Sequence, residues 1–63
     1  MPDKTKIMVI DDDPAICVSV KAILEASGYE VFTALSGKEG LELFQQVRPD
    51  VVLCDMMMED IDA

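Results

Sequence analysis

The chain has 63 residues, with five basic and thirteen acidic side chains, no histidine and a formal net charge of −8. At 51% hydrophobic residues it is too apolar for a disordered acidic tail. It is also too short for more than one domain, since a core of this size buries only about 60% of the unfolded surface. The acidic balance argues against direct nucleic-acid binding, which needs a basic footprint. Without histidine there is no imidazole ligand or base.

The apolar runs fall far short of the roughly 18 residues that span a bilayer. Met1-Pro2-Asp3-Lys4-Thr5-Lys6 leads into Ile7–Ile10, too short for a signal-peptide core. A cytoplasmic location is therefore expected, with no membrane partner. Cys17 and Cys54 make no C-x-x-C motif and read as small buried hydrophobes.

Ile7-Met8-Val9-Ile10 suits a strand buried on both faces, as in a parallel sheet. It stops at Asp11-Asp12-Asp13. Asp13 then Pro14 reads as N-cap and first helical residue. Ile16, Val20, Ile23, Leu24 and Ser27 recur at helical spacing, so a helix is predicted over about residues 14 to 27, ended by Gly28. Tyr29–Ala34 alternates and reads as a wetter edge strand. Ser36-Gly37-Lys38-Glu39 is a capping box, and Leu41, Phe44 and Val47 predict a helix over about residues 37 to 47. Val51-Val52-Leu53-Cys54 is a second doubly apolar strand, stopped by Asp55. The order β-α-β-α-β implies right-handed crossovers and a parallel sheet. Placing the apolar first and third strands inside and the polar second strand at the edge predicts the spatial order 2-1-3.

The first and third strands each end in aspartate. As parallel neighbours about 4.8 Å apart, they would bring Asp11, Asp12 and Asp55 together outside the carboxyl ends of the strands, where open α/β sheets bind ligands. Crowded carboxylates repel, and the sequence supplies no histidine or arginine at those strand ends. A hard divalent cation such as Mg²⁺ is the economical remedy. A carboxylate beside such an ion can act as nucleophile toward a phosphoryl group. The bland alternative is that these acids only cap the helix and favour its dipole, which is the better reading for Asp13.

Other motifs carry less. Met56-Met57-Met58 is better read as gap filler than as a soft-metal site. Gly37-Lys38 lacks the spacing of a P-loop. Asp60-Ile61-Asp62 begins like an EF-hand loop, but the required glutamate is not in the sequence. Too few polar groups besides acids are present to build an active site for a diffusible substrate, and the chain is expected not to be an enzyme.

Ile7–Pro14 resembles the opening of the receiver domain of two-component response regulators. Gly28-Tyr29-Glu30-Val31 and Ala34–Leu41 are similar to its second strand and helix, and Val51–Met58 to its phosphoacceptor strand. The match runs through nearly all 63 residues in order and spacing. The resemblance implies half of a doubly wound, flavodoxin-like α/β domain, with residues 1–63 as the amino-terminal half of a receiver. It implies Asp55 as phosphoacceptor, Asp12 as direct Mg²⁺ ligand, Asp11 acting through water, and the backbone carbonyl of Met57 as a further ligand. It implies a phosphohistidine on a sensor histidine kinase as donor. The family's fourth-strand Ser/Thr, fifth-strand Lys and aromatic switch residue have no counterpart here, and Glu59 and Ala63 stand where the family usually has Pro and Gly.

With half the domain absent, the third strand would become an apolar edge and a pairing hazard. A twofold homodimer is expected, through antiparallel pairing of third strands or exchange of halves. The alternative function is accordingly a half-domain that self-associates and does no phosphotransfer.

Overall fold

A computed structural model describes residues 4–54. The chain runs β1 (Lys6–Ile10), α1 (Pro14–Ala26), β2 (Glu30–Ala34), α2 (Gly37–Val47) and β3 (Val51–Cys54). The strands form one parallel sheet in the order β2-β1-β3, as the pattern predicted. The register sets Ile7 beside Val31 and Val51, and Ile10 beside Ala34 and Cys54. Since β2 and β3 lie on opposite sides of β1, right-handed crossovers put the helices on opposite faces.

Local chemistry sets the boundaries. The Asp13 carboxylate accepts from the Ala15 N–H at 2.9 Å and caps α1, with Pro14 in the first turn. At the other end the Gly28 N–H donates to the Glu25 carbonyl and the Tyr29 N–H to the Leu24 carbonyl. This is a Schellman closure, and it needs the positive φ of 98° that Gly28 adopts freely. Ser36 caps α2 by accepting from the Glu39 N–H at 3.1 Å. The Glu39 carboxylate reaches back to the Leu35 N–H at 2.8 Å, one residue earlier than in a standard capping box. At the start of the sheet, Asp50 clamps Lys6: its N–H donates to the Lys6 carbonyl and its carboxylate accepts from the Lys6 N–H.

Two small cores flank β1. On the α1 side, Ile7, Val9 and Val31 pack beneath Val20 and Leu24. On the α2 side, Met8, Ile10 and Ala34 pack against Leu43. All four residues Ile7–Ile10 are buried, as a doubly apolar central strand requires.

The predicted helix faces are met only in part: Val20 and Leu24 of the α1 stripe pack inward, whereas Ile16, Ile23, Leu41 and Phe44 do not. In α1 the inward residues are Cys17, Val20 and Leu24, while Ile16 and Ile23 are exposed, Ile23 at 65%. In α2 the inward residues are Gly40 and Leu43, while Leu41 is 69% exposed and Phe44 is also exposed. The cause in α2 is a close approach that pattern reading discounts. A Cβ at Gly40 would lie 2.5 Å from Cδ1 of Ile10, so the missing side chain is what lets the helix settle on β1. The third strand takes the apolar-edge position expected for it. β3 is an edge strand, and each of its four residues is exposed, Cys54 included. Both helices pack on β1 and β2, and among the described residues β3 touches only β1.

Gly40→Leu is expected to destabilise the fold by about 2 kcal/mol through overpacking against Ile10, read as a lower urea midpoint by circular dichroism.

Candidate functional site

β1 delivers the acidic turn to the carboxyl edge of the sheet. Asp11 stays tied to the sheet after the strand ends, because its N–H donates to the Ala34 carbonyl at 3.1 Å. It is the one charged residue among the described ones to be buried, at 8% exposure. Its carboxylate accepts from the Asp13 N–H at 2.9 Å, which closes the turn and leaves further acceptor capacity on the group. Asp12 is exposed, and among the described residues no hydrogen bond or ion pair engages its side chain. Asp13 is consumed as the α1 cap, so the bland reading holds for it. The three neighbouring acids thus have distinct roles: one braces the turn, one faces solvent and one caps.

The turn is pinned from below by a residue the pattern undervalued. Cys17 is buried, and its thiol donates to the Asp11 carbonyl at 3.4 Å and, more weakly, to the Ala34 carbonyl at 3.9 Å. Its place one turn into α1, directly after the acidic turn, was the available signal; reading it as mere apolar filler missed the contact. Burial, reinforced by the negative charge of Asp11, pushes the Cys17 thiol above its ordinary value.

β3 ends beside β1 at the same sheet edge. Its last residue, Cys54, pairs in register with Ile10, the residue immediately before Asp11. Asp55 and Met57 lie outside the described residues. Among the described residues the only ion pair is Lys21–Glu25, at 3.9 Å on the solvent side of α1, and no cation offsets the acidic turn. Likewise, no group of three metal-capable side chains occurs among them. The donor set of Asp11 and Asp12 is all oxygen and acidic. That chemistry fits a hard cation such as Mg²⁺.

The response regulator receiver domain family matches residues 7–62, and the chain belongs to that family. It is 42% identical over 58 residues to the "DNA-binding dual master transcriptional regulator RpaA" of Synechocystis, with 92% of this chain and 24% of that protein covered. It is 39% identical over 58 residues to the "Alkaline phosphatase synthesis transcriptional regulatory protein PhoP" of Bacillus subtilis, again with 92% and 24% covered. Among solved structures, a response regulator receiver domain protein from Clostridium thermocellum superposes with a TM-score of 0.82 at 46% identity, covering 86% of this chain and 44% of that one. The chemotaxis protein CheY4 of Vibrio cholerae gives 0.87 at 37% identity, covering 90% and 48%. The chain therefore spans about a quarter of the length of these curated relatives and just under half of these solved receivers.

Family membership places the chain in two-component signalling. Receiver domains interact with histidine kinases and generally bind Mg²⁺ at the phosphorylation site. Membership also corrects the expectation that the chain is not an enzyme, because receiver domains carry a weak autophosphatase activity. The physical reason is that the sheet edge bearing the acidic turn is open to water, Asp12 being exposed there. Counting polar side chains for a diffusible substrate overlooked a reaction in which the substrate is the domain itself.

The raised Cys17 pKa sets a pH dependence. The folded state keeps the thiol proton to higher pH than the unfolded state, so stability is complete below the ordinary thiol value and falls as pH rises through it. Urea midpoints measured up to about pH 10 are expected to decline, and Cys17→Ala should flatten that alkaline slope while lowering stability at neutral pH.

Proposed function

We propose that residues 1–63 form the amino-terminal half of a receiver domain and that Asp55 is its phosphoacceptor. The observation that carries this reading is the register at the sheet edge. Asp11 follows Ile10 and Asp55 follows Cys54 in sequence, and Ile10 and Cys54 are ladder partners. A carboxylate oxygen of Asp55 attacks the phosphorus of a phosphohistidine on a sensor histidine kinase. The phosphorus–nitrogen bond breaks, and its electron pair returns to the imidazole ring. Asp11 and Asp12 would hold Mg²⁺ together with Asp55 and the backbone carbonyl of Met57, Asp11 acting through water. The ion, when bound, supplies positive charge for the phosphoryl oxygens. The protein's own part is positional. The Asp11–Asp13 and Cys17–Asp11 hydrogen bonds fix the turn before any ligand arrives, which lowers the reorganisation needed on binding.

The site of action is the cytoplasm in this reading. Among the described residues no helix is long and apolar enough to cross a membrane. The net charge of −8 leaves no basic footprint for nucleic acid on this chain itself. The competing reading is a half-domain that pairs with a second copy through β3 and transfers no phosphoryl group. The edge position of β3 among the described strands and the exposure of Val51, Val52 and Leu53 are the observation that favours it.

Titration with Mg²⁺ and beryllofluoride, followed by Tyr29 fluorescence and NMR shifts of the Asp11–Asp13 amides, separates the two. Saturable binding that Asp55→Asn abolishes and Asp12→Asn weakens is expected. Shifts that are absent at millimolar Mg²⁺, or unchanged by Asp55→Asn, would reject the phosphoacceptor reading.

A further inference from the structure

β2 is the outermost strand of the sheet on the side opposite β3. In the order 2-1-3-4-5 of flavodoxin-like sheets the second strand is outermost, so this edge does not depend on where the sequence stops. The ladder with β1 fixes which backbone groups point outward. The Glu30 N–H donates to the Thr5 carbonyl at 3.0 Å, and the Ala34 carbonyl accepts from the Asp11 N–H at 3.1 Å. In a parallel strand the N–H and C=O of one residue point to the same side, and the side alternates from residue to residue. Glu30, Phe32 and Ala34 therefore serve β1, while Val31 and Thr33 turn their N–H and C=O groups out of the sheet. The next outward N–H, that of Leu35, is already taken by the Glu39 carboxylate at 2.8 Å. What remains is a short row of backbone donors and acceptors, with no proline or bulge within Glu30–Ala34 to block a further strand.

A groove of about 320 Å³ lies beside this edge on the α2 side, lined by Thr33 and Ala34 of β2 and by Glu39, Glu42, Leu43 and Gln46 of α2. At 3.6 residues per turn, Glu39, Glu42 and Gln46 share the flank of α2 next to β2, whereas Lys38 and Gln45 fall on the other flank. No basic side chain lines the groove. Glu39 keeps one carboxylate oxygen uncommitted, and the only ion pair among the described residues is on α1. We infer that β2 accepts an extended, lysine- or arginine-rich segment of a partner protein as an added strand. The backbone of the segment bonds Val31 and Thr33, and a basic side chain on its α2 side enters the groove to meet Glu39 and Glu42. Two independent features select this occupant. The unpaired edge calls for an extended backbone, and the acidic wall calls for positive charge. A second copy of this chain fits the edge but not the charge. It brings a further −8 and sets the Glu39–Glu42 flanks of two α2 helices against each other across the shared edge. The inference holds or fails independently of phosphorylation at Asp55.

The test adds a short, end-blocked peptide of alternating lysine and threonine to the chain at low ionic strength, without Mg²⁺ or phosphoryl donor. A peptide of alternating glutamate and threonine is the comparison. Amide hydrogen exchange is expected to slow at Val31 and Thr33 with the lysine peptide alone, and to stay unchanged at Phe32, whose N–H already serves β1. Glu42→Gln should weaken binding roughly fivefold, the upper end for an exposed ion pair. Gln45→Lys makes the same change in net charge on the other flank of α2, and should leave affinity within about twofold because salt and distance screen it. Glu42 and Gln45 are both exposed, so neither substitution disturbs the core. Thr33→Pro removes the outward N–H without touching the β1 ladder and should abolish binding, with its folding checked by circular dichroism. If that variant does not fold, the two charge variants decide. No saturable binding, equal binding of the glutamate peptide, equal weakening by Glu42→Gln and Gln45→Lys, or protection at the Asp11–Asp13 amides in place of Val31 and Thr33 would overturn the proposal.

Discussion

The placement of β1 between two neighbours and two helix layers is the constraint on which everything else depends. Four consecutive apolar residues, Ile7–Ile10, can lose their water on both faces only if something packs on each face and a strand pairs on each edge. That demand draws β2 to one edge and β3 to the other, and it calls α1 and α2 to opposite sides. The acidic turn then emerges at the carboxyl end of the best-buried strand. Asp11 inherits its position from Ile10, because its N–H still bonds Ala34 across the sheet.

The same constraint explains why the acidic turn is braced before any ligand is considered. Three adjacent carboxylates would repel one another if left to orient freely. Here two of them are engaged by backbone N–H groups two residues further on, Asp11 by Asp13 and Asp13 by Ala15. Cys17 pins the carbonyl of Asp11 from the first turns of α1. Structural capping and ligand readiness are therefore compatible at this turn. Asp13 is spent on the helix, Asp12 faces outward, and Asp11 braces the turn with one side chain.

β3 shows the reverse situation. Its four apolar residues have the composition of an interior strand and the environment of an edge. A chain this small has little stabilisation in reserve, and Val51, Val52 and Leu53 of β3 expose hydrophobic surface.

The element order, the 2-1-3 arrangement, the caps at Asp13 and Ser36 and the break at Gly28 were all legible in the amino-acid sequence. They follow from local rules: runs and alternation of apolar residues, capping side chains, and glycine where φ must be positive. The family resemblance was legible for the same reason, since the acids fall at strand ends. What the tertiary structure alone decided was the rotation of each helix on the sheet. Ile16, Ile23, Leu41 and Phe44 look like core residues by spacing, yet Cys17, Gly40 and Leu43 face inward instead. Periodicity specifies that a helix has an apolar side; it does not say which of two adjacent apolar stripes meets the sheet. That choice is made by close contacts between elements distant in sequence, such as the bare Cα of Gly40 against Ile10.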